Sequence, residues 1–493
     1  MKLDQILQDV NVLKYPKIIS QEIDDVKIDS RKVQSGDLFI AMKGENFDGN
    51  DFVSFALKNG ASYIVSEKDI PFDNVIVVDD SRKAYAQICK NFFDKACEKM
   101  KFIGVTGTNG KTTTVNIISN ILKTNGNNVG VIGTLGAMYN NKEINTGMTT
   151  PDPYELHKII KEMYEGGVEY VVMEVSAHAL ALHKLDGIKF EEGILTNITE
   201  DHLDYFKTMQ NYADAKFSFF MPEYVKMGIV FGQDPYCKYL FMHPKVPIIS
   251  YGKALGCDVL VKNPSTGLLG SQFTCNFLGK TFKVKSNLVG DYNIENLLAG
   301  IGATMSIGVD ESVIQKGISS LAPVEGRFNI INLKGQSIII DYAHTPDGLE
   351  KVLKTAKALS NNKLICIFGC GGNRDKQKRP IMGEIASKIS DDVIITSDNP
   401  RYEDPEEIIE EIKVGAVKPC KCITNRQEAI EYALKKYKNN ATIVIAGKGA
   451  EKYQEIKGTK YPFSDFDVVY NFYKKEQKPL KKNKSYPFDD EKY

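Results

Sequence analysis

One short run limits what this chain can fold into more than any other: Lys101-Phe-Ile-Gly-Val-Thr-Gly-Thr-Asn-Gly-Lys-Thr-Thr-Thr114. Phe102–Thr106 reads as a buried strand and Gly107 to Gly110 as a tight turn. After Lys111, Val115, Ile118, Ile121 and Leu122 fall at helical spacing. A strand that passes through a glycine loop into a helix opens an α/β fold with parallel strands. The same turn is an anion site, because amides of the Gly107-Thr108-Asn109-Gly110 loop and the positive end of the helix dipole converge there. Lys111 would reach the β- and γ-phosphates of a nucleotide, and the Thr112 hydroxyl, beside Thr113, would ligate magnesium. A strict Walker A loop wants glycine where Val105 stands, so this is a variant loop.

At 493 residues the chain exceeds one core, and ~100–200 residues per domain predicts three. Lys plus Arg (63) equals Asp plus Glu (63). That balance, with no long basic block before the end, argues against a nucleic-acid partner. Nine cysteines are scattered, and the spacing of Cys420 and Cys422 suits neither a zinc knuckle nor a redox Cys-x-x-Cys motif. Reduced thiols in the cytoplasm are expected. The first ten residues form a charged amphipathic start without a signal core, and no run of ~18 apolar residues could insert into a membrane. These features predict a soluble cytoplasmic protein, read as a monomer, acting on small molecules.

Short apolar runs alternate with helical stretches along the chain. Leu38–Ala41, Tyr63–Val65 and Val75–Val78 are strands of a small α/β unit over 1–98, closed by a helix from Arg82 to Lys99. Phe102–Val105, Val129–Ile132, Tyr170–Met173, Ile194–Leu195 and Ile229–Phe231 predict a doubly wound parallel sheet over 99–325. Ser337–Ile340, Leu364–Phe368, Val393–Thr396 and Thr442–Ala446 restart the alternation in a third, Rossmann-like unit over 326–475. A basic tail, 476–493, is expected to be solvated.

Polar residues cluster at the strand ends. Glu174 closes Tyr170-Val-Val-Met173, where a carboxylate downstream of a phosphate loop serves as a second magnesium contact. His202, one of six histidines, is flanked by Asp201 and Asp204. Lys216 lies on an apolar helix, and from its surroundings alone it reads as a surface lysine; an ammonium binds no metal, but a lysine carbamate would.

Eight motifs then occur in order: Thr-Gly-Thr-Asn-Gly-Lys-Thr-Thr (106–113), Thr-Thr-Pro-Asp-Pro (149–153), Glu-Val-Ser (174–176), Thr-Asn-Ile-x-x-Asp-His-Leu-Asp (196–204), Tyr-Ala-x-Ala-Lys (212–216), Gly-Asp-Tyr-Asn-x-x-Asn (290–296), Glu-Gly-Arg-Phe (325–328) and Asp-Tyr-Ala-His-Thr-Pro (341–346). In this order they resemble the Mur ligase family, the ATP-dependent amide-forming enzymes of peptidoglycan precursor synthesis. The resemblance runs from Asp29 to about Asp465. It implies a first domain binding the UDP of the substrate, a central ATPase domain and a C-terminal domain for the amino acid. It implies that Ser30, Thr149, Thr150, Ser176 and Lys184 contact a UDP-muramoyl-peptide. Asn197, Asn293, Asn296, Arg327 and Asp341 would surround ATP. Glu174, His202 and a carbamylated Lys216 would hold Mg2+. Ala177, Lys184 and Ala450 depart from the residues common in the family, and Lys184 offers a point charge where arginine would grip a carboxylate through two bonds.

Within the family, the resemblance points to members adding meso-diaminopimelate. That amino acid differs from lysine by a distal carboxylate, which a planar guanidinium can hold through two parallel bonds. Arg401 of Asp398-Asn399-Pro400-Arg401 supplies such a fork, and the resemblance marks this motif as that of diaminopimelate-adding members. Arg374 would hold the other carboxylate, and Glu451 with the Gly447 backbone the distal ammonium.

Overall fold

Three sheets and a separate hairpin account for the strands of this computed structural model, which describes residues 1–477 apart from 20, 21, 45, 46, 334, 361, 439 and 440. The basic segment from Lys478 lies outside the described residues. Two compact units form, Met1–Pro323 and the chain from Val324 onward.

The first sheet orders its strands Val12–Lys14, Val75–Val78, Tyr63–Ser66, Leu38–Ile40 and Val26–Lys27, all parallel except the first. The two edge strands are too short to leave a pattern in the sequence. The helix expected over 82–99 ends early: Ser81–Phe92 is α-helical, Asp94 and Lys95 take left-handed backbone, and Ala96–Lys99 is a 3-10 turn. Left-handed residues cannot continue an α-helix. The break lets Ala84, Tyr85 and Ile88 pack in the first core while Ala96, Cys97 and Met100 enter the next one.

The central sheet has eleven strands, and the P-loop strand Lys101–Thr106 lies inside it between Tyr170–Glu174 and Phe190–Leu195. The strands from Val129–Gly133 across to Val259–Gly267 are parallel. Both edges depart from the expected parallel pattern. Gly136–Tyr139 and Lys142–Ile144 extend one side antiparallel, and Gly270–Phe277 and Lys280–Ser286 the other. Edge hairpins alternate polar with apolar residues and carry no buried run to recognise. Side chains of the P-loop strand alternate between two cores: Phe102 enters one with the helix Pro153–Glu165, and Ile103 and Val105 the other with Lys111–Thr124 and Asp291–Ser306.

In the second unit, Asn329–Leu333, Gln336–Asp341, Ala441–Ala446, Lys363–Phe368, Asp392–Ile395 and Lys421–Cys422 form a sheet that is parallel after its first, antiparallel pair. The hairpin Tyr453–Ile456 and Thr459–Pro462 follows.

Candidate functional site

The loop from Gly107 to Gly110 turns because both glycines adopt positive φ, 138° and 90°. Neither tolerates a side chain: a Cβ would come within 1.9 Å of Thr196 Oγ1 at Gly107 and within 2.4 Å of Asn296 Oδ1 at Gly110. Asn197 grips the loop, its Oδ1 accepting from Asn109 N (2.9 Å), its carbonyl from Thr108 N (2.9 Å) and its Nδ2 donating to Asn109 O (3.0 Å). Asn296 lies against Thr114 and donates to Asn293 Oδ1 (3.1 Å). Thus Asn197, Asn293 and Asn296, expected around the nucleotide, brace the phosphate loop and its helix.

Lys111 Nζ donates to the carbonyls of Gly107 and Thr108, both at 2.9 Å, which keeps the ammonium over the loop. One residue on, Thr112 Oγ1 donates to Glu174 Oε1 at 2.9 Å, with Thr113 buried in the same first turn. Glu174 also accepts from Thr134 N (2.9 Å) and Thr134 Oγ1 (3.1 Å), and Thr134 Oγ1 lies 3.1 Å from Thr149 Oγ1. Thr150 Oγ1 donates to the Glu174 carbonyl and accepts from Ser176 N, and Ser176 caps the helix Ala177–Ala181. Adjacent hydroxyl and carboxylate oxygens at a helix start suit a hard divalent cation. Among the described residues no group of three or more His, Cys, Asp or Glu is placed to hold a metal ion by itself.

Lys216 is no surface lysine. It retains 1% exposure, and its Nζ donates to Gly107 O at 2.9 Å, 4.4 Å from the Tyr212 ring centroid. Burial, reinforced by the Lys111 charge, pushes its pKa well below the ordinary lysine value, though Asp201 opposes this. His202 sits in left-handed backbone with Nε2 3.4 Å from Asp201 Oδ2, its ring edge-on to His178. Two further expected substrate contacts are Lys184 and Ser30. Lys184 pairs with Asp152 at 2.7 Å. Ser30 begins a 3-10 turn of the first sheet's unit capped by Asp29, whose carboxyl the Arg31 bonds hold down at about 2.

The second unit gathers the remaining expected residues in two places. Asp341, at its strand end, accepts from Phe328 N and Ala343 N, both at 2.7 Å, while burial pushes its carboxyl up; Arg327 stacks over the Tyr342 ring at 4.4 Å. Beyond the strand Asp392–Ile395, Asn399 Nδ2 donates to Glu451 Oε2 (3.0 Å), and Lys448 Nζ bridges Asn399 Oδ1 (2.9 Å) and Glu451 Oε2 (2.8 Å). Asp398 is buried beside Gly447, whose Cβ would meet Asp398 Oδ2 at 2.7 Å. Burial alone would raise Asp398, but the Lys448 and Arg426 charges hold it below the ordinary carboxylate value. Pro400 leads into Arg401, which pairs with Glu455 rather than with the neighbouring Glu403 or Asp404. Arg374 is exposed, bonded to Asn373 O, yet its Cγ and Arg401 Nη1 both border the space a side chain at Gly371 would fill.

Sequence reasoning missed Thr134, Lys448 and Glu455. Lys448 stood inside the Gly-Lys-Gly-Ala-Glu run, but a lysine between glycines reads as solvated. Thr134 and Glu455 carried no local signal.

Three family models match in order: "Mur ligase family, catalytic domain" over 22–93, "Mur ligase middle domain" over 105–304 and "Mur ligase, glutamate ligase domain" over 326–449. A relative from Aquifex aeolicus, UDP-N-acetylmuramoyl-L-alanyl-D-glutamate–2,6-diaminopimelate ligase, is 42% identical, covering 92% of this chain and 94% of its own. A solved structure of an enzyme with that name is 30% identical with TM-score 0.69, covering 97% of this chain and 99% of its own. The MurF ligase of Thermotoga maritima, solved in complex with ADP, shares the fold at 22% identity with TM-score 0.62, over 93% of this chain and 98% of its own.

Proposed function

This chain belongs to the Mur ligase family, and on that premise we propose that it adds meso-diaminopimelate to UDP-N-acetylmuramoyl-L-alanyl-D-glutamate, using ATP. The substrate carboxylate attacks the γ-phosphorus of ATP and ADP leaves. The amine of diaminopimelate then attacks the acyl carbon, phosphate departs with the C–O electron pair, and the amide nitrogen loses a proton. Two anions meet in the first step, so their approach needs neutralisation. Lys111, held over the loop by Gly107 and Thr108, supplies one charge, and the amides at the start of Lys111–Thr124 supply a dipole.

Mg2+, held by Thr112, Glu174 and His202, would screen the phosphate charge. Lys216, buried as an amine against Gly107 O, would take up CO2 as a carbamate with release of a proton, adding hard oxygen donors. Ser30, Thr149, Thr150, Ser176 and Lys184 are proposed contacts of the UDP-muramoyl-peptide; Asn197, Asn293, Asn296, Arg327 and Asp341 those of ATP. The cytoplasm is the proposed site of action, and activity recovered in a washed membrane fraction would reverse that placement.

The observation that supports diaminopimelate over lysine is Arg401, four-fifths buried and carrying a guanidinium beside Gly371. Arg374, Glu451 and the Gly447 backbone complete the proposed amino-acid site. Lysine has no distal carboxylate to meet the remaining donors of that guanidinium, and sites built to pair a polar group reject analogues lacking it by ~10⁴-fold. ADP release measured over a panel of amino acids with the UDP-muramoyl-dipeptide tests this. Diaminopimelate should be strongly preferred, and Arg401→Ala should raise its KM far more than that of ATP. Comparable efficiency with lysine overturns the assignment.

A further inference from the structure

The hairpin Tyr453–Pro462 resembles a surface appendage, since its second strand is exposed throughout. Its first strand is nevertheless tied to the Asp398–Arg401 loop. Arg401 N donates to Glu455 O (3.0 Å), and Lys457 N donates to Arg401 O (2.6 Å). These two bonds hold Arg401 in left-handed backbone at φ 52°, which residues other than glycine rarely adopt. Glu455 N also donates to Asn399 Oδ1 (2.9 Å), and Gln454 Nε2 to Asp398 O (2.5 Å).

The Arg401 side chain is held as well. Its Nη1 donates to Gly372 O at 2.8 Å, and its Nε lies 3.2 Å from Glu455 Oε2. A guanidinium has five N–H donors in a rigid plane. Glu455 lies at the Nε side and Gly372 O accepts one hydrogen of Nη1, while among the described residues no hydrogen bond is made from Nη2. The Nη1–Nη2 edge left over is one that grips a carboxylate through two parallel bonds.

We propose that Glu455 is a positioning residue for amino-acid selection, aiming the Arg401 fork so that its outer edge receives the distal carboxylate. The inference rests on the functional reading above and deepens it. Nothing requires Glu455 to touch the substrate; it acts through Arg401.

The test is steady-state ADP release by the full-length chain, with diaminopimelate and ATP varied separately. Glu455→Ala should raise KM for diaminopimelate by about tenfold or more, through loss of the ion pair at 3.2 Å that fixes the guanidinium plane, while KM for ATP stays within about twofold. Glu455→Gln keeps an oxygen acceptor for Nε and should restore most of the difference. In an Arg401→Ala background, Glu455→Ala should add nothing, since both changes remove one interaction. If Glu455→Ala does not fold, Glu455→Asp withdraws the carboxylate by one methylene and should raise KM for diaminopimelate at least about threefold. An unchanged KM for diaminopimelate, an equal rise for ATP, or additive effects with Arg401→Ala overturn the inference alone. A wild-type chain that releases no ADP with diaminopimelate overturns the functional reading and this inference together.

Discussion

Lys216 shows how far a residue can depart from its local pattern. A lysine on an apolar helix reads from its surroundings alone as a surface residue with its ammonium in water, yet tertiary packing leaves the amine enclosed against the Gly107 carbonyl. Lys216→Ala should therefore remove most ligase activity, and a short carboxylic acid in solution should restore part of it by standing in for the carbamate; wild-type turnover by the alanine variant would sink that role. Glu192 is a second buried titratable group, orphaned at Oε2 and bonded at Oε1 by Ser306. Burial, with Glu191 adding to it, pushes its carboxyl up to about 8 from the ordinary 4.5. In the unfolded chain it ionises near 4.5 while the folded chain keeps it protonated, so stability falls by about 1.4 kcal/mol per pH unit between those values as pH rises. Glu192→Gln should melt higher than wild type at pH 8 to 9 and converge with it near pH 5. Equal differences at both pH values would show that Glu192 does not titrate this way.

Elements were legible where apolar runs were continuous. The parallel strands around the P-loop, buried on both faces, announced themselves as Val- and Ile-rich runs. Phe190–Leu195 was read too short, as Ile194–Leu195, because its Glu191 and Glu192 look like a loop. A register shift against the P-loop strand at that point accommodates the extra residue. The phosphate loop itself depends on backbone that other residues cannot adopt. Gly107→Ala would force a Cβ against Thr196 Oγ1 at a φ of 138°. A displacement of ~1 Å at a reacting centre costs ~10²-fold in rate, and a loss of that order in kcat is expected. Binding of a labelled ATP analogue should weaken in parallel, and retention of both would show that the loop yields without harm.

At the scale of the molecule, each compact unit carries its own core: Ile103, Val105 and Leu298 belong to one cluster of the first, Ile338, Ile365 and Ile443 to one of the second. Arg426 and Asp465 form a fully buried two-bonded pair in the second unit, with Arg426 Nη1 already lacking a partner. Asp465→Ala would strand that charge at ~3–5 kcal/mol. Calorimetry should show two transitions in the wild type, with the variant lowering one by ~10 °C and leaving the other. A single transition displaced as a whole would mean the cores do not unfold separately. The sequence by itself determined the α/β class, the phosphate loop and the order of the family motifs, because glycine conformation, helical spacing and buried strand runs are local properties of neighbouring residues. The Thr112–Glu174–Thr134 contact, the burial of Lys216 and the aim of Arg401 by Glu455 were decided by tertiary structure. Each joins residues far apart in the chain, and whether a charged group meets water or a partner depends on what the fold packs around it.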